Sequence, residues 1–374
     1  MGISNLKKAR ISSWMWLILF CIIVLSSSSY SQTYIPGVSV YNSNNYVEYI
    51  PGDLPIVISV PHGGYLEPAD IPNRDCDGCV YSRDSYTQEL ARSMNEAFYE
   101  QMGGYAHFII NLLHRKKFDA NRDIGDAADG NNTVEQVWYD YHDLINVAKD
   151  QIEEDHGRGL FIDLHGHGHD IQRLELGYLL SGSELRLPNS QLNSSAILAE
   201  TSIRSLVSDN WQSLTHADII RGFYSFGNLI DRKGYPAVPS KNDRYPYESQ
   251  PYFNGGYNTV RHSSIEGGNI DGFQIECNQS IRFDTSKRNT FAEELTRALN
   301  EYYDLHYDDD YIPINDYLVT SIKENHSEET IQIFPNPATT EINLNSELKN
   351  IHIQIYDVFG KQVTSLSWQG HPID

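Results

Sequence analysis

Short apolar runs along the chain alternate with longer stretches in which apolar residues recur every three or four positions. The short runs are rich in Val, Ile, Leu and Phe and have the length of buried strands. Four runs are predicted strands: 54–60, 106–113, 160–164 and 272–277. Three stretches are predicted amphipathic helices: 84–102, 134–154 and 289–303. This alternation predicts an α/β fold, with a mostly parallel central sheet flanked by helices.

The pattern is less regular between residues 170 and 263. A run at 176–180 predicts a further strand, and the apolar spacing over 193–207 predicts a helix. Residues 221–263 are rich in Tyr, Gly, Pro, Asn and Arg, a composition typical of loops. We therefore expect a long functional loop over 221–263.

The N-terminal residues have the three-part build of a secretory signal peptide. Basic residues within positions 7–10 precede the apolar run 14–25, and serines occupy 26–29. The apolar run is too short for a comfortable membrane span. We therefore predict a signal peptide over 1–31, no stable membrane span after its cleavage, and a secreted or cell-surface protein.

The overall charge is strongly acidic. The chain has 28 Lys and Arg against 50 Asp and Glu, which gives a formal net charge of -22. Nucleic acid is therefore not an expected partner, because phosphate binding needs a basic surface. The charge of the substrate does not follow from this balance, since a basic pocket can lie within an acidic surface.

The cysteines point to an oxidising compartment. Cys21 leaves with the signal peptide, and Cys76 and Cys79 are separated by two residues. Such a pair binds metal or exchanges electrons in some proteins, but without a second pair it makes a weak zinc site. In an exported protein a small local disulfide is the favoured interpretation. Cys277 is then left unpaired, and its place in an apolar strand predicts that it is buried.

The C-terminal part has a different character from the rest. An acidic and polar linker over 308–329 separates the main domain, 32–307, from a small β-rich tail. The tail contains Ile-Phe-Pro-Asn-Pro at 333–337 and Tyr-Asp-Val-Phe-Gly-Lys at 356–361. These motifs resemble the type A C-terminal sorting domain of proteins exported by the type IX secretion system of Bacteroidetes.

The resemblance implies a partner and a location. Alternating side chains around 351–356 predict a small β-sandwich-like domain over 330–374. The family pattern continues through a further strand and a basic end, so we interpret the domain as truncated. The expected partner is the type IX secretion machinery, and the expected location is periplasmic if the truncated domain does not direct export.

Several polar residues directly follow or end predicted strands. His62 follows the first strand, His165 the third, and Asp119 to Arg122 come shortly after the second, while Glu276 lies within the last. Ligands of open α/β sheets bind beyond the carboxyl ends of the strands. We therefore expect these residues to converge, although each histidine alone is also consistent with an ordinary turn residue.

Two imidazoles and one carboxylate would leave a fourth position on a zinc ion for water, as hydrolytic zinc sites require. Glu89 is a candidate for the carboxylate, and Asp84 is the alternative. Strand alternation sets Gln274 and Glu276 on the face opposite Phe273. A carboxylate in an apolar strand either pairs with an arginine or serves as a general base.

Six motifs occur in the order found in the N-formylglutamate amidohydrolase family, which the region 55–303 resembles. They are Ser59-Val-Pro-His-Gly-Gly64, Asp84 with Glu89-Leu90, Phe118-Asp-Ala-Asn-Arg122, Asp163-Leu-His-Gly166, Gly255-Gly-Tyr257 and Gln274-Ile-Glu276. Members are similar in fold to zinc carboxypeptidases and peptidoglycan amidases. The resemblance implies one Zn²⁺ held by His62, Glu89 and His165, with Glu276 as the acid and base.

The resemblance also implies a substrate side. Asn121, Arg122, Arg261 and His262 would face the substrate, and either arginine would grip a carboxylate through paired hydrogen bonds. Apart from the resemblance, Asp163 on the strand before His165 is a candidate to orient an imidazole. His167 and His169 depart from the family pattern, and we expect supporting or loop roles for them. These residues are the candidates for substrate recognition and support around the metal.

The expected activity is hydrolysis of the amide bond of N-formylglutamate-like N-acyl amino acids. An export signal is unusual for an enzyme of intracellular catabolism, so a carboxypeptidase or a cell-wall peptide amidase stays an alternative. Two further alternatives are a noncatalytic binding protein that retains the pocket and a redox protein built around Cys76 and Cys79.

Overall fold

The computed structural model describes residues 34–307 and, in the C-terminal tail, four strands without their side chains. The predicted signal peptide over 1–31 and the predicted linker over 308–329 lie outside the described residues. The chain divides into two compact units, Met1–Ile35 and Pro36–Asp374. The central sheet belongs wholly to the second unit.

An eight-stranded sheet forms the centre of the main domain. Its strands are β1 (Val40–Tyr41), β2 (Val47–Ile50), β3 (Ile56–Val60), β4 (His107–Asn111), β5 (Gly159–Gly166), β6 (Leu174–Gly177), β7 (Ala237–Val238) and β8 (Ile270–Cys277). Their order is β1-β2-β4-β3-β5-β8-β6-β7. The four central strands β4, β3, β5 and β8 run parallel. Outside them, β1–β2, β2–β4 and β6–β8 are antiparallel pairs, and β6–β7 is a parallel pair. The predicted α/β class with a mostly parallel sheet is confirmed.

Three long helices and a series of short ones surround the sheet. The long helices are α1 (Thr87–Met102), α3 (Asn132–His156) and α12 (Thr285–Tyr307). The short ones are α2 (Ile124–Ala128), α4 (Gly182–Leu185), α5 (Asn189–Leu192), α6 (Ser195–Leu198), α7 (Arg204–Ser208), α8 (His216–Arg221), α9 (Phe226–Arg232), α10 (Tyr257–His262), α11 (Gln279–Arg282) and a 3-10 turn, Ser264–Glu266. All three predicted long helices are present, with ends shifted by a few residues.

The two faces of strand β5 have different surroundings. Leu160, Ile162 and Leu164 point into the main apolar core, which also contains residues of α1 and α12. Members of that core from the two helices are Leu90, Met94, Phe98, Phe291 and Leu295. Asp163 and His165 alternate with these residues and therefore project from the opposite face. The apolar face fixes the strand, and the polar residues at its end are positioned as a consequence.

The middle of the chain differs from the prediction. Residues 193–207 form two short helices, α6 and α7, and not one continuous helix. The predicted loop 221–263 contains α9, β7 and α10. A side-chain cap explains one of these elements. Ser225 accepts a hydrogen bond from Asn228 N at the start of α9, so seven residues suffice for a helix where composition indicated a loop.

The cysteines and the tail follow the sequence prediction where they are described. Cys76 and Cys79 form a disulfide, and Cys277 is a free, buried cysteine. The tail strands are β9 (Gln332–Phe334), β10 (Asn343–Asn345), β11 (Ile351–Tyr356) and β12 (Gln362–Trp368). They form two antiparallel pairs, β9 with β10 and β11 with β12. None of the described helices is long and apolar enough to span a membrane.

The disulfide is expected to stabilise the main domain modestly. Closing a loop this short removes little chain entropy, so replacing Cys76 and Cys79 with serine should lower the free energy of unfolding by about 2 kcal/mol. Urea denaturation of the oxidised protein and the double variant measures the difference. Dithiothreitol should bring the wild-type midpoint to that of the variant and leave the variant unchanged. Equal midpoints for oxidised wild type and variant would contradict a stabilising disulfide.

Candidate metal centre and active site

His62 lies directly beyond the end of β3. Pro61 ends the strand, and His62 O accepts a hydrogen bond from Asp84 N at 3.0 Å. The loop after His62 passes so close to its neighbours that only glycine fits there. A Cβ atom on Gly64 would lie 2.1 Å from Leu113 O. The two glycines that follow His62 therefore let the chain turn while it holds the imidazole at the sheet edge.

Two histidines and one aspartate converge at this edge. Asp84 Oδ2 lies 3.0 Å from His165 Nδ1 and 3.4 Å from His62 Nδ1. The two imidazole rings are 4.7 Å apart between centroids. His62 and His165 are each 2% exposed and Asp84 is 8% exposed, so solvent does not satisfy these groups. Two nitrogen atoms and one carboxylate oxygen thus face a common point.

Each imidazole is held from behind by a second carboxylate. His62 Nε2 lies 2.6 Å from Asp119 Oδ1, and His165 Nε2 lies 2.8 Å from Asp163 Oδ2. Donation from Nε2 to these carboxylates would leave both Nδ1 atoms free to bind a metal, the arrangement common to metal-bound histidines. His62 Nδ1 is buried and has no hydrogen-bond partner. The donor set therefore fits a tetrahedral zinc site with one position left open.

The supporting carboxylates are themselves fixed. Arg115 Nε donates to Asp119 Oδ2 at 2.9 Å. Ser59 Oγ donates to Asp163 Oδ1 at 2.6 Å, and Asn258 Nδ2 donates to the same oxygen at 3.1 Å. Ser59 and Asp163 are register partners on β3 and β5. The orientation of each imidazole is therefore set by a chain of hydrogen bonds that reaches back into the sheet.

The electrostatics of the cluster favour a bound cation. Burial disfavours charge on Asp84, but the adjacent imidazoles of His165 and His62 lower the pKa of Asp84 well below its usual value. Burial also opposes charge on His165, yet Asp163 and Asp84 raise the pKa of His165 well above that of free histidine. The buried carboxylate of Asp84 therefore needs a positive charge beside it, which a proton on His165 or a metal ion in its place would supply.

Asp84, and not Glu89, is the carboxylate that joins the two histidines. The group whose ligand atoms all lie within 4.8 Å of one another is His62, Asp84 and His165. Glu89 lies on α1, where it accepts a hydrogen bond from Tyr65 Oη. Asp84 precedes the helix, and the hydrogen bond from its backbone N–H to His62 O holds it close enough for its short side chain to reach the imidazoles. The prediction that preferred Glu89 is therefore replaced by its stated alternative.

Glu276 is positioned beside His165 by the register of the sheet. β5 and β8 run parallel with His165 opposite Glu276, so the two side chains project from the same face. Gln274 Nε2 donates to Glu276 Oε1 at 2.8 Å, while Oε2 is buried without a partner. Burial raises the pKa of Glu276 to about 8, although nearby His165 opposes the shift. Its hydrogen-bond partner is thus a glutamine, and the arginine pair considered from the sequence is not observed.

The predicted substrate residues occupy different places. Asn121 Nδ2 lies 3.2 Å from His165 Nε2, and Asn121 Oδ1 accepts from Asn258 N at 2.7 Å. Arg122 is half-buried and donates to the Asn121 carbonyl at 2.9 Å. Arg261 is exposed, with its guanidinium carbon 4.9 Å from the centre of the Trp138 ring. Asn121 is therefore beside His165 and Arg122 contacts the backbone of Asn121, whereas Arg261 stacks on a helix residue.

His262 does not reach the metal cluster. It is fully buried at the end of α10, where His262 Nε2 lies 2.8 Å from His142 Nδ1. Burial lowers the pKa of His262 well below the value of free histidine. Its ring also packs against Phe161, on the side of the sheet that α3 and α10 cover. The assignment of His262 to substrate binding is therefore corrected to a place in the core.

The last two histidines of the glycine-spaced run support the loop after β5. His167 Nε2 donates to Arg173 O at 2.8 Å, and His167 Nδ1 accepts from His169 N at 3.1 Å. His169 Nδ1 lies 2.8 Å from Glu175 Oε1, and its ring stacks on Phe253. Both nitrogen atoms of His167 are therefore engaged within the protein. A supporting or loop role for His167 and His169 stays a prediction.

Sequence reasoning missed two buried residues near the site, Asn258 and Glu175. Asn258 bridges Asp163 and Asn121 from the first turn of α10. Glu175 is fully buried on β6 and lies opposite Glu276 in the register. The alternation Leu174-Glu175-Leu176 repeats the pattern around Glu276 and would have identified Glu175. No comparable signal distinguished Asn258 within a segment interpreted as a loop.

One family model matches the tail of the chain. Residues 332–372 match the secretion system C-terminal sorting domain. The sorting domain predicted from the two tail motifs is thus confirmed, and this match indicates a secreted or cell-surface protein. No curated protein matches the sequence.

Among solved structures, the chain is similar to three hydrolases at low identity. N-formylglutamate amidohydrolase from Ralstonia eutropha JMP134 has 15% identity and a TM-score of 0.38, over 67% of this chain and 95% of that one. The catalytic domain of CwlV, an N-acetylmuramoyl-L-alanine amidase from Bacillus (Paenibacillus) polymyxa var. colistinus, has 12% identity and a TM-score of 0.28, over 67% and 98%. The CwlD amidase from Clostridioides difficile has 10% identity and a TM-score of 0.29, over 67% and 98%.

Metal binding should depend on Asp84 and not on Glu89. Loss of a supporting residue around a metal typically costs 10- to 100-fold in affinity, so loss of a direct ligand in Asp84→Ala should weaken Zn²⁺ binding by more than about 100-fold. Glu89→Ala is the matched control and should stay within about threefold of wild type. Competition with a chelator of known affinity measures both. Weakened Zn²⁺ binding in Glu89→Ala, with Asp84→Ala close to wild type, would show that Glu89 is the ligand.

Proposed function

We propose that this protein is an exported, metal-dependent amide hydrolase that cleaves small N-acyl amino acids after removal of its N-terminal signal peptide. One observation carries the proposal. Two buried imidazoles are each held by a carboxylate at Nε2 and face Asp84 through Nδ1, next to a glutamate with one free oxygen. In a purely structural histidine pair, a buried Nδ1 and a buried glutamate oxygen without partners would each destabilise the fold without serving any purpose.

His62, Asp84 and His165 would hold a single Zn²⁺ ion. Such an ion would supply a water molecule with its pKa lowered toward about 7 and would polarise the substrate carbonyl. Asp119 and Asp163 keep the imidazoles oriented, which prevents the rings from rotating away from their common point. The protein therefore contributes a rigid and dry setting for one reactive water molecule.

Glu276 would move the proton. Its Oε2 accepts a proton from the attacking water and then returns it to the leaving amine nitrogen. Gln274 holds the other oxygen in place, so the free oxygen has a defined direction. Burial raises the pKa of Glu276 to about 8, close to neutral pH, and a group with such a pKa can both take up and return a proton.

Arg122 is the stronger candidate for binding a substrate carboxylate. One of its nitrogen atoms donates to the Asn121 carbonyl, and the rest of the guanidinium is available for a planar anion. The neighbouring Asn121 side chain contacts His165, so the substrate would span the short distance between the carboxylate grip and the metal. Arg261 would contribute less, because it stacks on Trp138.

The tail favours a second candidate within the same chemistry. The match to a secretion system sorting domain indicates that the substrate is met outside the cytoplasm. Peptides of the cell wall and peptides with free carboxyl termini are available there and contain the same amide bond. A peptide amidase or carboxypeptidase is therefore the alternative, and it would use the same metal site and the same glutamate.

Replacement of Glu276 tests the assigned base. Glu276→Gln should retain one zinc ion per chain and lose about 10²- to 10⁴-fold in kcat/KM, because a glutamine cannot carry the proton. Metal content and hydrolysis are measured on the mature chain with N-formyl, N-acetyl, dipeptide and muropeptide substrates, and Glu89→Gln is the control.

The substrate panel also separates the alternative functions. Preferred cleavage of muropeptides or dipeptides would favour the second candidate, a peptide amidase or carboxypeptidase, over an enzyme that acts on small N-acyl amino acids. Less than one metal ion per chain, together with no hydrolysis of any substrate, would indicate a noncatalytic binding protein that retains the pocket. Retention of full activity by Glu276→Gln would show that another group moves the proton.

Replacement of Arg122 tests the carboxylate grip. Arg122→Met should raise KM by about 10- to 150-fold with little change in kcat, because a charge-assisted hydrogen bond contributes about 1.5–3 kcal/mol. Arg261→Met is the matched control and should leave KM within about threefold. Steady-state kinetics on a carboxylate substrate and on its methyl ester distinguish charge recognition from a general defect. If the variant loses activity equally on both substrates, Arg122 does not bind the carboxylate.

A further inference from the structure

A buried arginine lies behind the metal cluster and is not part of the chemistry proposed above. Arg282 ends the short helix α11, just after strand β8, and is 2% exposed. All hydrogen bonds of its side chain go to backbone carbonyls. Nε donates to Cys277 O at 2.9 Å, Nη2 donates to His167 O at 3.0 Å, and Nη1 donates to Ser85 O. One planar group thus contacts three separate segments.

Each of these three segments carries one member of the proposed site. Ser85 follows Asp84, Cys277 follows Glu276, and His167 comes two residues after His165. The His165 and Glu276 segments are already joined by the parallel pairing of β5 with β8, which the hydrogen bond from His167 N to Cys277 O at 3.0 Å extends. The segment of Asp84 and Ser85 belongs to no strand of the sheet. The guanidinium therefore joins the segment of Asp84 to the paired ends of β5 and β8.

Gly166 shows how closely the chain is fitted around this arginine. A Cβ atom on Gly166 would lie 2.2 Å from Arg282 Cζ and 2.4 Å from Arg282 Nε. The backbone N–H of Gly166 also donates to Asp84 Oδ2 at 3.2 Å. The residue after His165 is therefore packed between the guanidinium on one side and the ligand Asp84 on the other. Glycine is needed there because any side chain would displace the arginine.

We propose that Arg282 is a positioning residue that holds the segment of Asp84 against the paired ends of β5 and β8, which carry His165 and Glu276, and so tunes metal affinity. This inference rests on the metal site proposed above. The planar fork of arginine directs its N–H groups in fixed directions, so it can join three carbonyls at once. Lysine carries the same charge on a single nitrogen and cannot reproduce that geometry.

The chain contains a matched control for the cost of losing such a group. Arg221, at the end of α8, is 4% exposed and donates to Leu185 O, Leu187 O and Asn189 Oδ1. These acceptors belong to α4, α5 and the link between them, which carry no residue of the proposed site. Arg221→Lys thus removes an arginine of similar burial and bonding without touching the segments of Asp84, His165 or Glu276.

The test compares Zn²⁺ affinity and stability in Arg282→Lys and Arg221→Lys. Full-length mature protein is freed of metal, its melting temperature is measured, and the Zn²⁺ dissociation constant is determined by chelator competition. Both variants should melt at lower temperature than wild type. Only Arg282→Lys should bind Zn²⁺ about 10- to 100-fold more weakly, the range expected for loss of a group that supports metal ligands.

A second variant gives an independent route if Arg282→Lys does not fold. Gly166→Ala keeps the guanidinium but forces it away from its carbonyls, and should weaken Zn²⁺ binding in the same range. A folded Arg282→Lys or Gly166→Ala protein with a dissociation constant within threefold of wild type would overturn the positioning role. An equal loss of Zn²⁺ affinity in Arg221→Lys would also overturn the positioning role, because lower stability alone would then account for the weaker binding.

The same measurements separate this inference from the proposed function. Wild-type protein that binds less than one Zn²⁺ per chain would overturn both the metal site and the role of Arg282. Wild-type protein with a stoichiometric site, combined with unchanged affinity in Arg282→Lys, would overturn only the positioning role. Weakened affinity in Arg282→Lys, with Arg221→Lys close to wild type, supports both.

Discussion

The sharing of one buried carboxylate by two imidazoles is the interaction on which the rest of the site depends. Asp84 lies against His62 and His165 where solvent is nearly excluded. Buried ionisable groups are costly unless each has a partner. That cost accounts for Asp119 and Asp163 behind the two rings. The partners make the cluster rigid, and rigidity is what a metal site with one open position requires.

The parallel sheet makes this convergence possible. Parallel strands end at the same edge, so residues far apart in sequence meet there. The register of β5 with β8 sets His165 opposite Glu276, and that of β3 with β5 sets Ser59 opposite Asp163. A shift of one residue in either pairing would turn the polar side chains into the apolar core. The core residues on the other face of the sheet therefore determine the positions of these polar side chains as firmly as the polar contacts do.

The sequence predicted what depends on periodicity and missed what depends on the path of loops. The long helices, the buried strands and the two histidines after strands follow from apolar spacing. The choice between Asp84 and Glu89 did not, because it depends on where α1 begins and on a backbone hydrogen bond to His62. The burial of His262 likewise depends on the short helix α10, inside a segment with the composition of a loop.

The loop that delivers Asp84 explains why the disulfide lies where it does. The chain between His62 and Asp84 contains no helix and no named strand, and an unsupported loop of this length would be poorly ordered. Arg74 lies within it and donates to Val80 O and Arg115 O, with its guanidinium also 3.6 Å from Asp119. The disulfide adjoins Arg74 and tightens the same loop. A covalent link and a buried arginine together thus replace the secondary structure that would otherwise hold Asp84, the candidate metal ligand, in position.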